Sequence, residues 1–247
     1  MRLRPLLALV VVLAVAALCV RLGFWQLSRW HEKQALNAAM RAAQRAPALR
    51  VGSEPPPLAS ARLRALEVTG VFDERHQILL SGRAHDGAPG VEVVTPLRLP
   101  GGTAAILVNR GWMYAADAAS GRPQQYPEPG ERTVRGFAEE LRHGAGGLPP
   151  RLLEHDSVTV WSARWLDADS LTGRLPYAFA LYVVRQSPGP GVAGMPRRSL
   201  PRPYNESTHL SYAVQWFLFA VILLGGSASL AWSRRRRAPT SSLEESR

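Results

Sequence analysis

Residues 210–232 read LSYAVQWFLFAVILLGGSASLAW, and Arg234, Arg235, Arg236 and Arg237 follow one residue later. The run has 23 residues and no charge, and roughly 20 apolar residues suffice for a helix to cross ~30 Å of hydrocarbon. A second run, Leu6–Val20 (LLALVVVLAVAALCV), stands at the other end of the chain behind Arg2 and Arg4. It has 15 residues; adding Leu22, Gly23, Phe24 and Trp25 brings it to span length, with Arg21 snorkelling outward. Arginines flanking spans stay on the cytoplasmic side. The pattern therefore predicts a cytoplasmic N-terminus (1–5), a span (6–25), an exported region (26–209), a second span (210–232) and a cytoplasmic basic tail (233–247). Met1 to Pro5 also fits a signal-peptide n-region, and Ala14-Val15-Ala16 has the form of a cleavage site. The apolar run continues past Ala16 without a polar break, which favours a retained anchor. Leu18 stands where a lipoprotein signal ahead of Cys19 would need a small residue.

With 30 basic and 19 acidic residues and a pI near 11.0, the chain would ordinarily raise nucleic acid as a partner. The location of the charge excludes that. Arg2, Arg4, Arg21, Arg234 to Arg237 and Arg247, against Glu244 and Glu245, place +6 of the net +11 at the two ends. The basic excess is mostly topology. The one cysteine, Cys19, lies in the first apolar run, so the exported region has no disulfide and needs an ordinary hydrophobic core. Cys-x-x-Cys and His-x-x-x-His arrangements are absent, so no dedicated metal site is expected.

Trp25 to Arg45 has no proline or internal glycine and predicts a helix continuing out of the first span, stopped by Pro47. Beyond the Pro-rich break at 54–57 the pattern changes to strands: Leu63–Phe72, His76–Leu80 closed by Gly82, and Val91–Leu99. Pro96 marks the last as an edge strand or bulge. Pro100-Gly101-Gly102 turns the chain into Ala104–Asn109; Thr133–Ala138, Val158–Trp161 and Ala178–Arg185 complete about seven strands. Short helices are expected over 115–119 and 162–169. Residues 187–204, dense in Pro and Gly, predict an extended tether or lid returning the chain to the membrane. The fold class is a membrane protein with two transmembrane helices flanking a mostly antiparallel β domain, a small barrel or sandwich.

Three clusters carry chemistry. His209, Tyr212, Ala213, Trp216, Ala220 and Ser227 share a helix face. An imidazole and a phenol above an indole and small residues would suit a large flat ligand such as a haem, or a close-packed partner helix with an aromatic belt. Trp25, Arg29 and Lys33 follow i, i+4 spacing and could meet lipid phosphates, a propionate-bearing ligand, or simply the interface. Val108-Asn109-Arg110-Gly111-Trp112 ends a strand, where Arg110 beside Trp112 could offer cation–π packing or contact a carboxylate, or be buried, paired to a domain carboxylate and stacked on a core Trp. Gly-x-Ser-x-Gly, Walker and dinucleotide signatures are absent, and no constellation argues for an enzyme. Asn205-Glu206-Ser207 has the form of a glycosylation sequon.

In order along the chain, Leu22-Gly23-Phe24-Trp25-Gln26 with Arg29 and Lys33, Gly70-Val71-Phe72, and Ile78-Leu79-Leu80 with Arg83 appear. They are followed by Gly90-Val91 with Val94-Thr95-Pro96-Leu97, and Leu107-Val108-Asn109-Arg110-Gly111-Trp112. The last are His209-Leu210, Tyr212-Ala213, Gln215-Trp216-Phe217 and Ala220. Together they resemble the surfeit-locus-one family of cytochrome c oxidase assembly proteins, in its bacterial form. One departure is Met113-Tyr114, where the family usually places an apolar residue and then proline. The resemblance implies a non-enzymatic factor of the bacterial inner membrane, with a periplasmic central domain, that binds haem a transiently and helps insert it into the oxidase core subunit. It implies His209 as the axial ligand of the haem iron, Tyr212 and Trp216 lining the same face, and Trp25, Arg29 and Arg110 at the outer rim or partner surface. The partners implied are that core subunit and the haem a synthesis machinery. A contrasting reading keeps the chain as an interaction chaperone that never touches haem.

Overall fold

A computed structural model describes residues 3–62, 64–144, 150–155, 158–201 and 203–236. Residues 1–2 and 237–247 of the expected cytoplasmic ends, and Leu63 of the expected first strand, lie outside them. The described residues form four helices: α1 (Leu3–Arg45), α2 (Leu58–Ala61), α3 (Ala168–Leu171) and α4 (Ser207–Arg236). Nine strands accompany them: β1 (Leu49–Val51), β2 (Ala65–Phe72), β3 (Ile78–His85), β4 (Ala88–Arg98), β5 (Ala104–Tyr114), β6 (Glu131–Glu140), β7 (Arg151–His155), β8 (Val158–Ala163) and β9 (Ala178–Gln186). They divide into two compact units, one of residues 1–38 with 203–247 and one of residues 39–202.

The first unit is a pair of helices, both long and apolar enough to cross a membrane. The first 36 residues of α1 belong to it, and the helix runs unbroken for 43 residues, so the expected helical extension of the first span is present. Less exposed positions on α1 include Val12, Ala16, Cys19, Gly23, Gln26, Trp30, Lys33 and Asn37; on α4 they include His209, Ala213, Trp216, Ala220, Leu223 and Ser227. Both series step alternately by four and three residues, the 3.5-residue period that keeps one seam facing a partner helix. Small residues let the backbones approach. At Gly23 an added Cβ would sit 2.6 Å from the Phe217 ring, and Phe24 meets that ring edge-on at 5.4 Å between centroids. Gln26 bonds to His209 while Gly23, about one turn back, meets Phe217, about two turns on. The helices therefore run antiparallel.

The second unit is a closed barrel. β2, β6, β9, β5 and β4 are each hydrogen-bonded to the next, and β4 returns to β2 through the pairs Val71↔Arg98 and Phe72↔Leu97. All contacts in this ring are antiparallel except β5–β9. Alternate residues point inward, and Leu66, Val68, Leu97, Ile106, Val108, Val134, Tyr182 and Val184 fill the interior. α2 adds Ala61 to that core. On the outer face Ile78, Leu80, Val94, Leu107 and Val183 pack under Leu166, Ala168 and Leu171, where β3, β8 and β7 continue the sheet beyond β4. Closure depends on Gly70: a Cβ there would lie 2.3 Å from the Arg98 carbonyl oxygen, so the β2–β4 contact admits only hydrogen.

Several expectations are corrected. Pro96 does not make β4 an edge strand. It stands where β4 leaves β3 (Ile78↔Val94) and joins β2 (Phe72↔Leu97). Its carbonyl accepts from the Asp73 amide at 2.8 Å, and the missing N–H falls at the changeover, where it interrupts neither ladder. Gly82 does not end β3; at φ +68° it sits in a bulge between Leu80 and Arg83, and the strand continues to His85. Residues 115–119 are a turn, because the Asp117 carboxylate accepts from the Ala119 and Ser120 amides at 3.0 and 2.9 Å, a local alternative to helix. Of the expected helix over 162–169, Ser162 and Ala163 belong to β8. Helix α3 starts after Asp167, whose carboxylate caps the Asp169 and Ser170 amides. The strands β1 and β7 are additional to the expected seven.

Candidate functional site

His209 lies in the first turn of α4 because Asn205 caps that helix, its side-chain oxygen accepting from the Thr208 amide at 3.4 Å. The sequon asparagine is thus a capping residue. The imidazole Nδ1 meets the side-chain oxygen of Gln26 on α1 at 2.8 Å. An amide oxygen can only accept, so Nδ1 is the donor in this hydrogen bond. Nε2 makes no hydrogen bond among the described residues. Trp216, two turns on, lies on the same seam and meets Phe219 edge-on at 5.9 Å.

The rest of the expected face divides. Ala213 and Ala220 are buried, at 1% and 4% exposure, whereas Tyr212 is 48% exposed and stands on the flank. Trp25 is 54% exposed; one residue before Gln26 on a 3.6-residue period, it points about 100° away from the seam. Arg29 pairs with Glu32 on its own helix. Neither residue groups with His209. Lys33 instead lies over the Tyr204 ring, 4.7 Å from its centroid. Asn37, 3% exposed, brackets the Tyr204 peptide: its amide donates to the Tyr204 carbonyl at 2.9 Å and its oxygen accepts from the Tyr204 N–H at 2.8 Å. Gln26 and Asn37 were legible only by carrying the seam's period outward from Gly23 and noticing polar residues in phase with it.

In the barrel, Val108-Asn109-Arg110-Gly111-Trp112 forms a β-bulge. Val93 pairs with Gly111 and Val94 with Asn109, leaving Arg110 without a partner residue. Gly111 has φ +113°, and a Cβ there would lie 2.2 Å from the Arg197 carbonyl, so both backbone angle and space require glycine. Asn109 and Arg110, consecutive in β5, point to opposite sides of the sheet. Asn109 turns to a cleft of about 650 Å³ lined also by Arg83, Glu92, Glu139 and Arg185. There Glu92 accepts from Asn109 and from Arg185, each at 2.9 Å. Burial opposes the Glu92 charge, but the Arg185 guanidinium, then Asn109 and Arg83, hold its carboxyl below the ordinary value of 4.5.

Arg110 turns inward and is wholly buried. Its Nε and Nη2 donate to Glu128 at 3.1 and 2.8 Å, Nη2 donates also to the Tyr126 carbonyl, and the guanidinium lies 5.1 Å over Phe72. An outer-rim role for Arg110 is therefore corrected: no surface of it meets solvent. Glu128 also receives Arg198, which donates to Gln186, Ala193 and Pro196. Arg197 exchanges backbone hydrogen bonds with Trp112 at 2.9 and 2.6 Å. Residues 193–198 of the Pro/Gly-rich segment are thus clamped to the barrel rather than forming a loose tether. The chain after Trp112 is equally regular, with Met113 buried and β5 continuing to Tyr114.

A family model described as the SURF1 family matches residues 13–221. A SURF1-like protein of Rickettsia felis is 35% identical over 221 residues, covering 87% of this chain and 92% of the relative. A SURF1-like protein of Monosiga brevicollis is 26% identical over 86% of this chain and 83% of its own length. Surfeit locus protein 1 of Rattus norvegicus is 25% identical over 92% of this chain and 76% of its own length.

Proposed function

Because the chain belongs to the SURF1 family, we propose that it is a membrane-bound assembly factor for haem-copper cytochrome c oxidase that carries haem a on His209. The observation that carries this reading is the Gln26–His209 hydrogen bond. In the neutral ring, Nδ1–H donation to Gln26 puts the ligand lone pair on Nε2, which has no protein partner among the described residues. Metal-binding imidazoles ordinarily show this arrangement, with the far nitrogen donating to a fixed acceptor. The candidate residues fit the cargo in kind: His209 as axial ligand of the iron and Trp216 as an aromatic wall. Tyr212, exposed on the flank, would reach a ligand edge. Trp25, facing away from the seam, and Arg29, paired with Glu32 on its flank, would serve the interface or a partner protein. A single imidazole leaves one face of the iron open, which suits a cargo that must be handed on.

In this reading both termini are cytoplasmic, the β domain is periplasmic, and the first apolar segment is retained. Removing it would strip α4 of the residues that bury its seam. The partners would be the oxidase core subunit and the haem a synthesis machinery, and no catalytic step is assigned to the chain. A second reading, an interaction chaperone without haem, is favoured by a different observation: Gly23, Ala213 and Ala220 are already used in close contacts of the helix pair. The two separate on purification in detergent after co-expression with a haem a source, beside His209→Ala. Bound haem a whose spectrum is lost or strongly shifted in the variant supports the carrier. Haem retained unchanged moves the ligand elsewhere, and a folded wild type without haem supports the chaperone.

A further inference from the structure

We propose that Gln26 is a positioning residue that sets how readily His209 gives up its ligand; this rests on the haem-carrier reading. The bond from Nδ1 to the Gln26 oxygen does two things. It fixes the imidazole as the Nδ1–H tautomer, so that Nε2 is the coordinating atom, and it locks the ring's rotation against α1. What it does not do follows from the partner's charge. A carboxylate at that place would draw the proton toward itself and raise the basicity of Nε2, tightening the bond to iron. A neutral amide orients the ring with much less of that effect. The position also constrains the choice of partner. Gln26 lies in phase with Gly23 on the less exposed seam of a helix long and apolar enough to span a membrane. An ionised carboxylate there would carry a desolvation cost that an amide avoids. An amide therefore supplies aim without strong retention, the combination a carrier needs.

The placement supports this in a second way. Gln26 adjoins the contact of Gly23 with Phe217, where a Cβ could not be accommodated without displacing the ring. Asn37 brackets Tyr204 further along α1. The carboxamide is thus set between two fixed points of the helix pair. The backbone from which it reaches His209 is thereby held in register with α4.

The test uses the full-length chain in detergent, wild type beside Gln26→Leu and Gln26→Glu, with ¹⁵N-histidine. In the haem-free proteins, nitrogen shifts should report His209 as the Nδ1–H tautomer in wild type and as a mixture or the Nε2–H form in Gln26→Leu. In the haem a-loaded proteins, transfer to excess apomyoglobin should be about tenfold or more faster for Gln26→Leu and about tenfold slower for Gln26→Glu, with the iron–histidine stretch raised in the latter. Circular dichroism and the melting temperature check that both variants fold. A tautomer unchanged in Gln26→Leu, or equal release rates in all three loaded proteins, overturns the role of Gln26 while leaving the carrier reading intact. A folded wild type that takes up no haem a overturns both.

Discussion

Arg110, wholly buried in the barrel, and His209, half-buried on the helix seam, are both nitrogen-rich side chains, and they are finished in opposite ways. The Arg110 guanidinium meets Glu128, the Tyr126 carbonyl and the Phe72 ring, and Glu128 is shared with Arg198. Its donors are met by the barrel. His209 has one hydrogen bond and one nitrogen left over. A buried cation must be paired in full because the alternative costs several kcal/mol. A neutral imidazole can leave one site open at far smaller cost, and an open site is what a ligand can use. Of the two, the saturated group is structural and the unsaturated one is the candidate for function.

That contrast can be broken first at Glu128. Glu128→Leu strands two guanidiniums in the barrel and should lower unfolding stability by about 3–5 kcal/mol in denaturant titrations. Replacing Arg110 with Met in the same protein should recover part of the loss; no recovery would mean the ion pair is not the source. In the helix pair, Gly23→Leu should cost about 1–3 kcal/mol by overpacking against Phe217, read as a lower melting temperature in detergent. A neutral outcome would show that the helices can slide apart. Acid should act on the barrel through Glu92 and Asp73, both held below their ordinary values of 4.5 and 3.8. Burial opposes both charges; Arg185 above all lowers Glu92, and His76 and Tyr177 lower Asp73. Carboxyls depressed in the folded state stabilise it above those ordinary values and lose that contribution as pH falls through the folded ones. Unfolding midpoints should therefore decline below about pH 4.5, and Glu92→Gln should flatten the slope. The smallest stability effect belongs to His209→Ala, expected within about 1 kcal/mol, since it removes a single hydrogen bond. A large loss there would make His209 structural after all.

The sequence showed His209 and Trp216 together because one helix period connects them, and showed Arg110 beside Trp112 as a pair worth attention. Period 2 carried from Ile106 and Val108 puts Arg110 on the inward face, but the one-residue bulge that shifts the phase from Gly111 onward, and the carboxylate that receives the guanidinium, carry no local mark. Glu128 and Arg198 lie 18 and 88 residues further along and carry no local mark of meeting at one point. The strand β1, of three residues, has too few positions to display a period.

The two spans, the helical extension to Arg45 and the strand-rich region between them were decided by composition and periodicity, because burial in lipid or in a sheet selects residues locally. Barrel closure at Gly70, the course of β4 past Pro96, the clamp on residues 193–198 and the Gln26 partner of His209 were decided only by the tertiary structure. Each depends on atoms brought within about 3 Å from distant parts of the chain, and no local pattern encodes which distant group will arrive.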